Sequence, residues 1–152
     1  MIPTLTKQSI TLLAVSKTKP TSNILEAYEA GQWHFGENYV DEFVDKSHAI
    51  DFPDIRWHFI GHIQSNKVKK LVSAKDIHVI ETLDSQKLAQ KLDKEWGKRV
   101  SRLGVLVQVL TSDEGTKHGV EVKDVPSLVQ FIQDSCPNLA FRGLMTMGKL
   151  ND

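Results

Sequence analysis

Leu12-Leu13-Ala14-Val15-Ser16-Lys17-Thr18-Lys19-Pro20 is an apolar run that ends on lysines and a proline. Four consecutive apolar residues read as a strand covered on both faces. Thr18, Lys19 and Pro20 end it, because proline offers no backbone donor and restricts the residue before it. Lysine is rarely set directly on a buried strand. Its ordinary reading is a strand-end stem that packs while the ammonium reaches water. Its chemical reading is an amine placed to form an imine with an aldehyde. That needs the neutral form, and a lysine with the reference pKa of about 10.4 is almost wholly protonated at pH 7. Desolvation or a neighbouring cation favours the neutral amine. Lys19 could supply that cation or be the reactive amine itself, since both lysines face the same way on a strand.

Working outward, Thr21 or Ser22 is placed to cap a helix bearing Ile24, Ala27 and Tyr28, which Gly31 stops. Trp33-His34-Phe35-Gly36 reads as a second strand, and residues 39–49 as a helix with Val40, Phe43 and Val44 on one face. Residues 55–60 form a third expected strand, followed by a turn at Gly61 and a helix through Val68, Leu71 and Val72. Residues 77–80 are a fourth. Asp84 or Ser85 opens a helix whose Leu88, Leu92 and Trp96 recur at helical spacing. Residues 103–110 read as a fifth strand, 111–119 as a polar loop, and Asp124 as the cap of a helix with Pro126 in its first turn. Residues 139–147 complete the pattern.

Six strands alternating with five helices predict α/β units and parallel pairing. An open doubly wound sheet and part of a (β/α)8 TIM-type barrel both fit, although a barrel typically takes about 200 residues or more. The chain has 152 residues, enough for one domain with a real core. No glycine-rich phosphate motif follows the first strand, which argues against a dinucleotide fold.

Nineteen Lys+Arg balance nineteen Asp+Glu, which argues against a general affinity for nucleic acid or acidic membranes. The one cysteine, Cys136, cannot form an internal disulfide and fits a reducing compartment. No apolar run approaches the roughly 20 residues of a membrane span, and the N-terminus lacks a signal-peptide cleavage pattern. The expected location is cytoplasmic, with a mitochondrial pool as the alternative.

In either architecture functional groups sit at the C-terminal ends of strands. The candidates there are Lys17, Glu37 and Asn38, His62, Glu81 and Thr82, Thr111 and Ser112, and Met145-Thr146-Met147. His34 and His58, within strands, read as hydrogen-bonded core histidines. No HExxH motif or Cys/His cluster in the sequence points to a metal. Lys67-Val68-Lys69-Lys70 reads as a solvated helix face.

The opening strand, Leu12 to Pro20, resembles that of the pyridoxal phosphate homeostasis proteins, a PLP-binding family. So do Phe35-Gly36-Glu37-Asn38-Tyr39-Val40, Trp57-His58-Phe59-Ile60-Gly61 with Gln64-Ser65-Asn66-Lys67, and Gly143-Leu144-Met145-Thr146, in order and across nearly the whole chain. The resemblance implies the barrel of the alanine racemase N-terminal domain. It also implies pyridoxal 5'-phosphate held as a Schiff base on Lys17 rather than Lys19. Asn38 matches a residue on the pocket rim, and Lys117 matches a loop lysine of open role. The implied function is intracellular PLP homeostasis without catalytic turnover, with apo-PLP enzymes as partners and a monomer for the full-length form. A racemase-like PLP enzyme is one alternative. It would need a second acid/base that racemases take from a separate domain or subunit. A short form that binds no cofactor is another.

Departures from the family accompany the match. Leu110 stands where Asn is usual, and Asp41 where Gln is common. The helix before the first strand is largely missing. Family segments beyond the sixth strand supply most of the phosphate cradle, and they are not in this sequence. The expectation is therefore a single domain over residues 1–152 that lacks the last two strands: a fragment, an alternative product or an incomplete gene model. Open barrel edges then predict self-association.

Overall fold

The computed structural model describes residues 10–97, 99–111 and 118–148. In chain order these form β1 (Ala14–Val15), α1 (Thr21–Glu29), β2 (His34–Glu37), α2 (Val40–Ala49), β3 (Arg56–Phe59), α3 (Val68–Leu71) and β4 (Ile77–Leu83). There follow α4 (Gln86–Trp96), β5 (Leu103–Leu110), β6 (Val120–Glu121), α5 (Val125–Ser135) and β7 (Leu139–Met145). Short 3-10 turns at Ser65–Lys67 and Val122–Asp124 lead into α3 and α5. Lys117 and Ser112, candidates from the sequence, lie outside the described residues.

Every pairing is parallel: β1 with β2, β2 with β3, β3 with β4, β4 with β5, and β5 with β7. The two-residue β6, not expected from the sequence, pairs with Val109 and Leu110 at the end of β5. The six principal strands thus lie in chain order with no reversal. A doubly wound sheet reverses its order at a switch point; consecutive staves of a (β/α)8 barrel do not. The order decides for the incomplete barrel.

Period-two alternation assigns the faces of β2, β3 and the start of β5, and irregularities in the pairing of β4 shift its alternation. Phe35, Trp57, Phe59, Ile80, Leu83, Val105 and Val107 join Ile24, Phe43, Leu71, Leu88, Leu92 and Ile132 of the helices in one buried core. Phe43 packs its ring 5.8 Å from both Trp57 and Phe59, which docks α2 on the sheet. Burial of side chains this size contributes about 1.5–3 kcal/mol each. His34 and His58 alternate with these residues and lie on the opposite, concave face. α4 carries its apolar residues on one stripe and is capped by Ser85 Oγ, which accepts from the Leu88 N–H at 3.3 Å. Among the described residues no helix is long and apolar enough to cross a membrane.

Three local expectations are corrected. Only Ala14 and Val15 of the opening run are strand, and Leu12 and Val15 are 73% and 51% exposed. Among the described residues β1 pairs on one side only, with β2, and Ala14 packs against the core while Val15 is left open, so the unbroken apolar run is not covered on both faces here. α1 begins at Thr21 itself after Pro20, and neither Thr21 nor Ser22 acts as a side-chain cap. Asp124 precedes α5 without capping it through its side chain, because the 3-10 turn at Val122–Asp124 already leads into the helix.

Candidate functional site

The C-terminal strand ends surround a cleft of about 530 Å³. Its walls take Leu13, Val15 and Lys17 from the first strand and its flanks, Asn38 after β2, and Ile60, Gly61 and His62 after β3. Glu81 and Thr82 of β4, Gln108 of β5 and Met145, Thr146 and Met147 at the end of β7 close the other side, with His118. Lys17 is its one lysine among the described residues, and no arginine lines it there. The sequence candidates Lys17, Asn38, His62, Glu81, Thr82 and Met145 to Met147 thus converge. Thr111 stands behind the wall, its hydroxyl 2.6 Å from that of Thr146. Glu37 does not join them: it points to the helix side and is fully buried.

The strand ends are pinned to one another. Thr82 Oγ1 donates to the Gly61 carbonyl at 2.6 Å. A Cβ on Gly61 would lie 1.9 Å from the Asn38 carbonyl oxygen, so only glycine lets the β3 turn come this close to the end of β2. Asn38 is left with a buried side-chain oxygen that has no protein partner at the cleft wall. Such an acceptor calls for a donor from a bound molecule or water. His62 and His118 stack with ring centroids 3.6 Å apart at the rim.

Lys17 itself is exposed, but its backbone is held from behind. Lys46, on α2, is 7% exposed. Its ammonium donates to the Ser16 carbonyl at 2.7 Å, to Glu37 Oε1 at 2.8 Å and to Glu42 Oε1 at 2.6 Å. Ser16 Oγ donates to Glu37 Oε1 at 2.7 Å, and the Thr18 N–H to Glu42 Oε1 at 2.6 Å. The residues on both sides of Lys17 are therefore fastened to one buried charge network. Thr18 is held at φ +62°, a region a β-branched residue rarely enters. Desolvation pushes the Glu42 carboxyl up, and the bonds from Lys46 and Thr18 outweigh it, so its pKa sits below the ordinary value.

Sequence reading missed Gln108 and His118 in the wall, and the network behind Lys17. Its one visible signal was the i, i+4 pair Glu42 and Lys46. The basic patch is solvated as expected, with Lys67 and Lys70 forming exposed ion pairs to Asp41 of α2.

The model of the alanine racemase N-terminal domain family matches residues 4–152. The pyridoxal phosphate homeostasis protein of Bos taurus is 47% identical over 143 residues, covering 90% of this chain and 52% of that protein. The protein of that name from Vibrio alginolyticus is 49% identical over 146 residues, covering 93% of this chain and 61% of its own length. The chain thus spans little more than half the length of these curated relatives. Among solved structures, PipY of Synechococcus elongatus PCC7942 with PLP bound superposes with a TM-score of 0.84 at 34% identity, covering 97% of this chain and 67% of that one. Alanine racemase of Clostridium difficile 630 matches with a TM-score of 0.70 at 11% identity, covering 93% of this chain and 36% of that one, a likeness of fold alone.

Proposed function

Because this chain belongs to the alanine racemase N-terminal domain family, we propose that its cleft holds pyridoxal 5'-phosphate on Lys17, as a store of the cofactor and not for turnover. The observation that carries this is the convergence of Lys17 and Asn38 on one cleft at the strand ends. When bound, the cofactor supplies an aldehyde that condenses reversibly with a primary amine. Lys17 offers that amine. Leu13, Val15, Ile60, Met145 and Met147 offer apolar walls for an aromatic ring, and the orphaned oxygen of Asn38 accepts a hydrogen bond from a polar group beside it. Lys17 is the group that bonds the aldehyde, and the described lining gives the phosphate no guanidinium to hold it. The release of a reversibly bound aldehyde to another amine, such as that of an apo-PLP enzyme, follows from the same chemistry.

The test mixes the chain with pyridoxal 5'-phosphate and follows the visible absorbance of the lysine adduct. The band is expected to form and to disappear on dilution. Lys17→Ala removes it and Lys19→Ala retains it. A band that survives Lys17→Ala refutes the assignment of the residue. Sustained racemisation of D- or L-alanine refutes the non-catalytic role.

A further inference from the structure

Below the cleft, on the concave face, three histidines from three successive strands meet. His34 (β2), His58 (β3) and His78 (β4) form a near-equilateral triangle, with ring centroids 5.1, 5.3 and 5.6 Å apart. One ring nitrogen from each lies within 4.8 Å of the other two. We propose that His34, His58 and His78 bind a first-row divalent metal ion of the zinc class through three imidazole nitrogens, with water in the remaining position.

The hydrogen bonds around the triangle favour this. Glu81 Oε1 lies 2.6 Å from His58 Nδ1. A carboxylate oxygen accepts here, so the neutral form of His58 carries its proton on Nδ1 and turns the lone pair of Nε2 inward. A carboxylate behind a histidine in this way is the usual orienting partner of a metal-bound imidazole. His58 Nε2 already faces His34 Nδ1 at 2.8 Å, so two of the ligand atoms point at a shared place. In the metal-free chain His34 donates to His58. On binding, the His34 ring moves its proton from Nδ1 to Nε2, and neutral histidines release no net proton. Three imidazoles suit zinc, cobalt, nickel or copper better than calcium or magnesium. The opposing features are two positive charges: Arg142, whose guanidinium lies 3.4 Å from His78 Nε2, and Arg56, whose charge bears on both His34 and His78. Arg142 is exposed and free to turn towards water, but its charge weakens cation binding. Sequence spacing conceals the site, because His34 and His58 are 24 residues apart and meet only through strand pairing.

The test uses the full chain stripped with chelator, ZnCl2 titrated by calorimetry, and CoCl2 followed by visible absorbance. The expected result is one saturable site and the intense spectrum of four-coordinate cobalt. His34→Gln and His78→Phe should each weaken zinc by more than about 100-fold, and Glu81→Gln by about 10–100-fold. Arg142→Gln should tighten it severalfold. Each variant is checked for folding by circular dichroism; His34→Gln alters only a half-buried ring, so it reports even if His78→Phe unfolds. A second group, His62, Asp84 and His118, also holds its ligand atoms within 4.8 Å of one another. Zinc binding lost on His118→Asn but retained on His34→Gln would overturn the proposal. So would the absence of saturable binding, or a pale octahedral cobalt spectrum.

Discussion

Replacing Lys46 by methionine keeps the stem and removes the ammonium that joins α2 to the end of β1. Three hydrogen bonds are lost at once, to Ser16, Glu37 and Glu42. Glu42 keeps a 25% exposed side chain and can turn to water, whereas the side chain of Glu37 is fully enclosed. Glu37 would retain one donor, Ser16 Oγ, and its Oε2 already has no protein partner. Breaking one half of a buried ion pair costs about 3–5 kcal/mol. A second limit comes from protonation. Neutralising a glutamate of reference pKa about 4.3 costs about 3.7 kcal/mol at pH 7 and about 1 kcal/mol at pH 5. The variant takes the cheaper route, so the expected loss is about 3–4 kcal/mol at pH 7, shrinking to about 1–2 at pH 5. Urea denaturation of wild type and Lys46→Met at both pH values measures it, and Lys46→Met with Glu37→Gln should recover most of the loss at pH 7. A loss below about 1 kcal/mol at pH 7, or one unchanged at pH 5, would refute the reasoning that a buried carboxylate is what Lys46 neutralises.

Gly61→Ala places a Cβ 1.9 Å from the Asn38 carbonyl oxygen, so backbone must move; a loss of about 3 kcal/mol in urea denaturation is expected, with impaired adduct formation at Lys17. Thr18→Gly relieves the φ of +62° while keeping the N–H that reaches Glu42; relief of about 1–3 kcal/mol, less about 0.5–1 for glycine's unfolded freedom, predicts a net gain of about 1 kcal/mol in melting experiments. Burial, followed by the charges of His58, Arg142, His34 and Arg56, pushes His78 down from 6.5 to about 4. Above pH 6.5 it is neutral folded or unfolded; between 6.5 and about 4 the unfolded chain takes the proton first, so stability of metal-free protein falls as pH drops. The slope from this one group is at most about 1.4 kcal/mol per pH unit, and His78→Phe should flatten it over that window.

Much of the fold was legible because alternating apolar runs and amphipathic segments carry their own periods. The α4 stripe of Leu88, Leu92 and Trp96 behaved as its spacing required, and Ser85 capped it. The barrel order was not legible from pattern alone, since periodicity says that a strand exists and not which strand lies beside it. The resemblance supplied that expectation, and the pairing of β5 with β7 rather than a strand across the sheet bears it out. In the cleft, residues at strand ends were found by position. Gln108 was hidden within an apolar strand, and the Lys46 network joins residues up to 30 apart. Leu12 and Val15 misled because an unbroken apolar run looks the same whether or not both its faces are covered.

The chain-order arrangement of the strands bears on how the molecule is made. Each strand leaving the ribosome finds its neighbour already synthesised, so assembly can advance by accretion, one βα unit at a time. Even neighbouring units pair across non-local loops, as Ala14 does with Phe35 and Leu103 with Leu139, and parallel pairing of that kind is slow to form. During synthesis the rim that carries Lys17, Asn38 and Gly61 is laid down before the wall that Met145 to Met147 contribute.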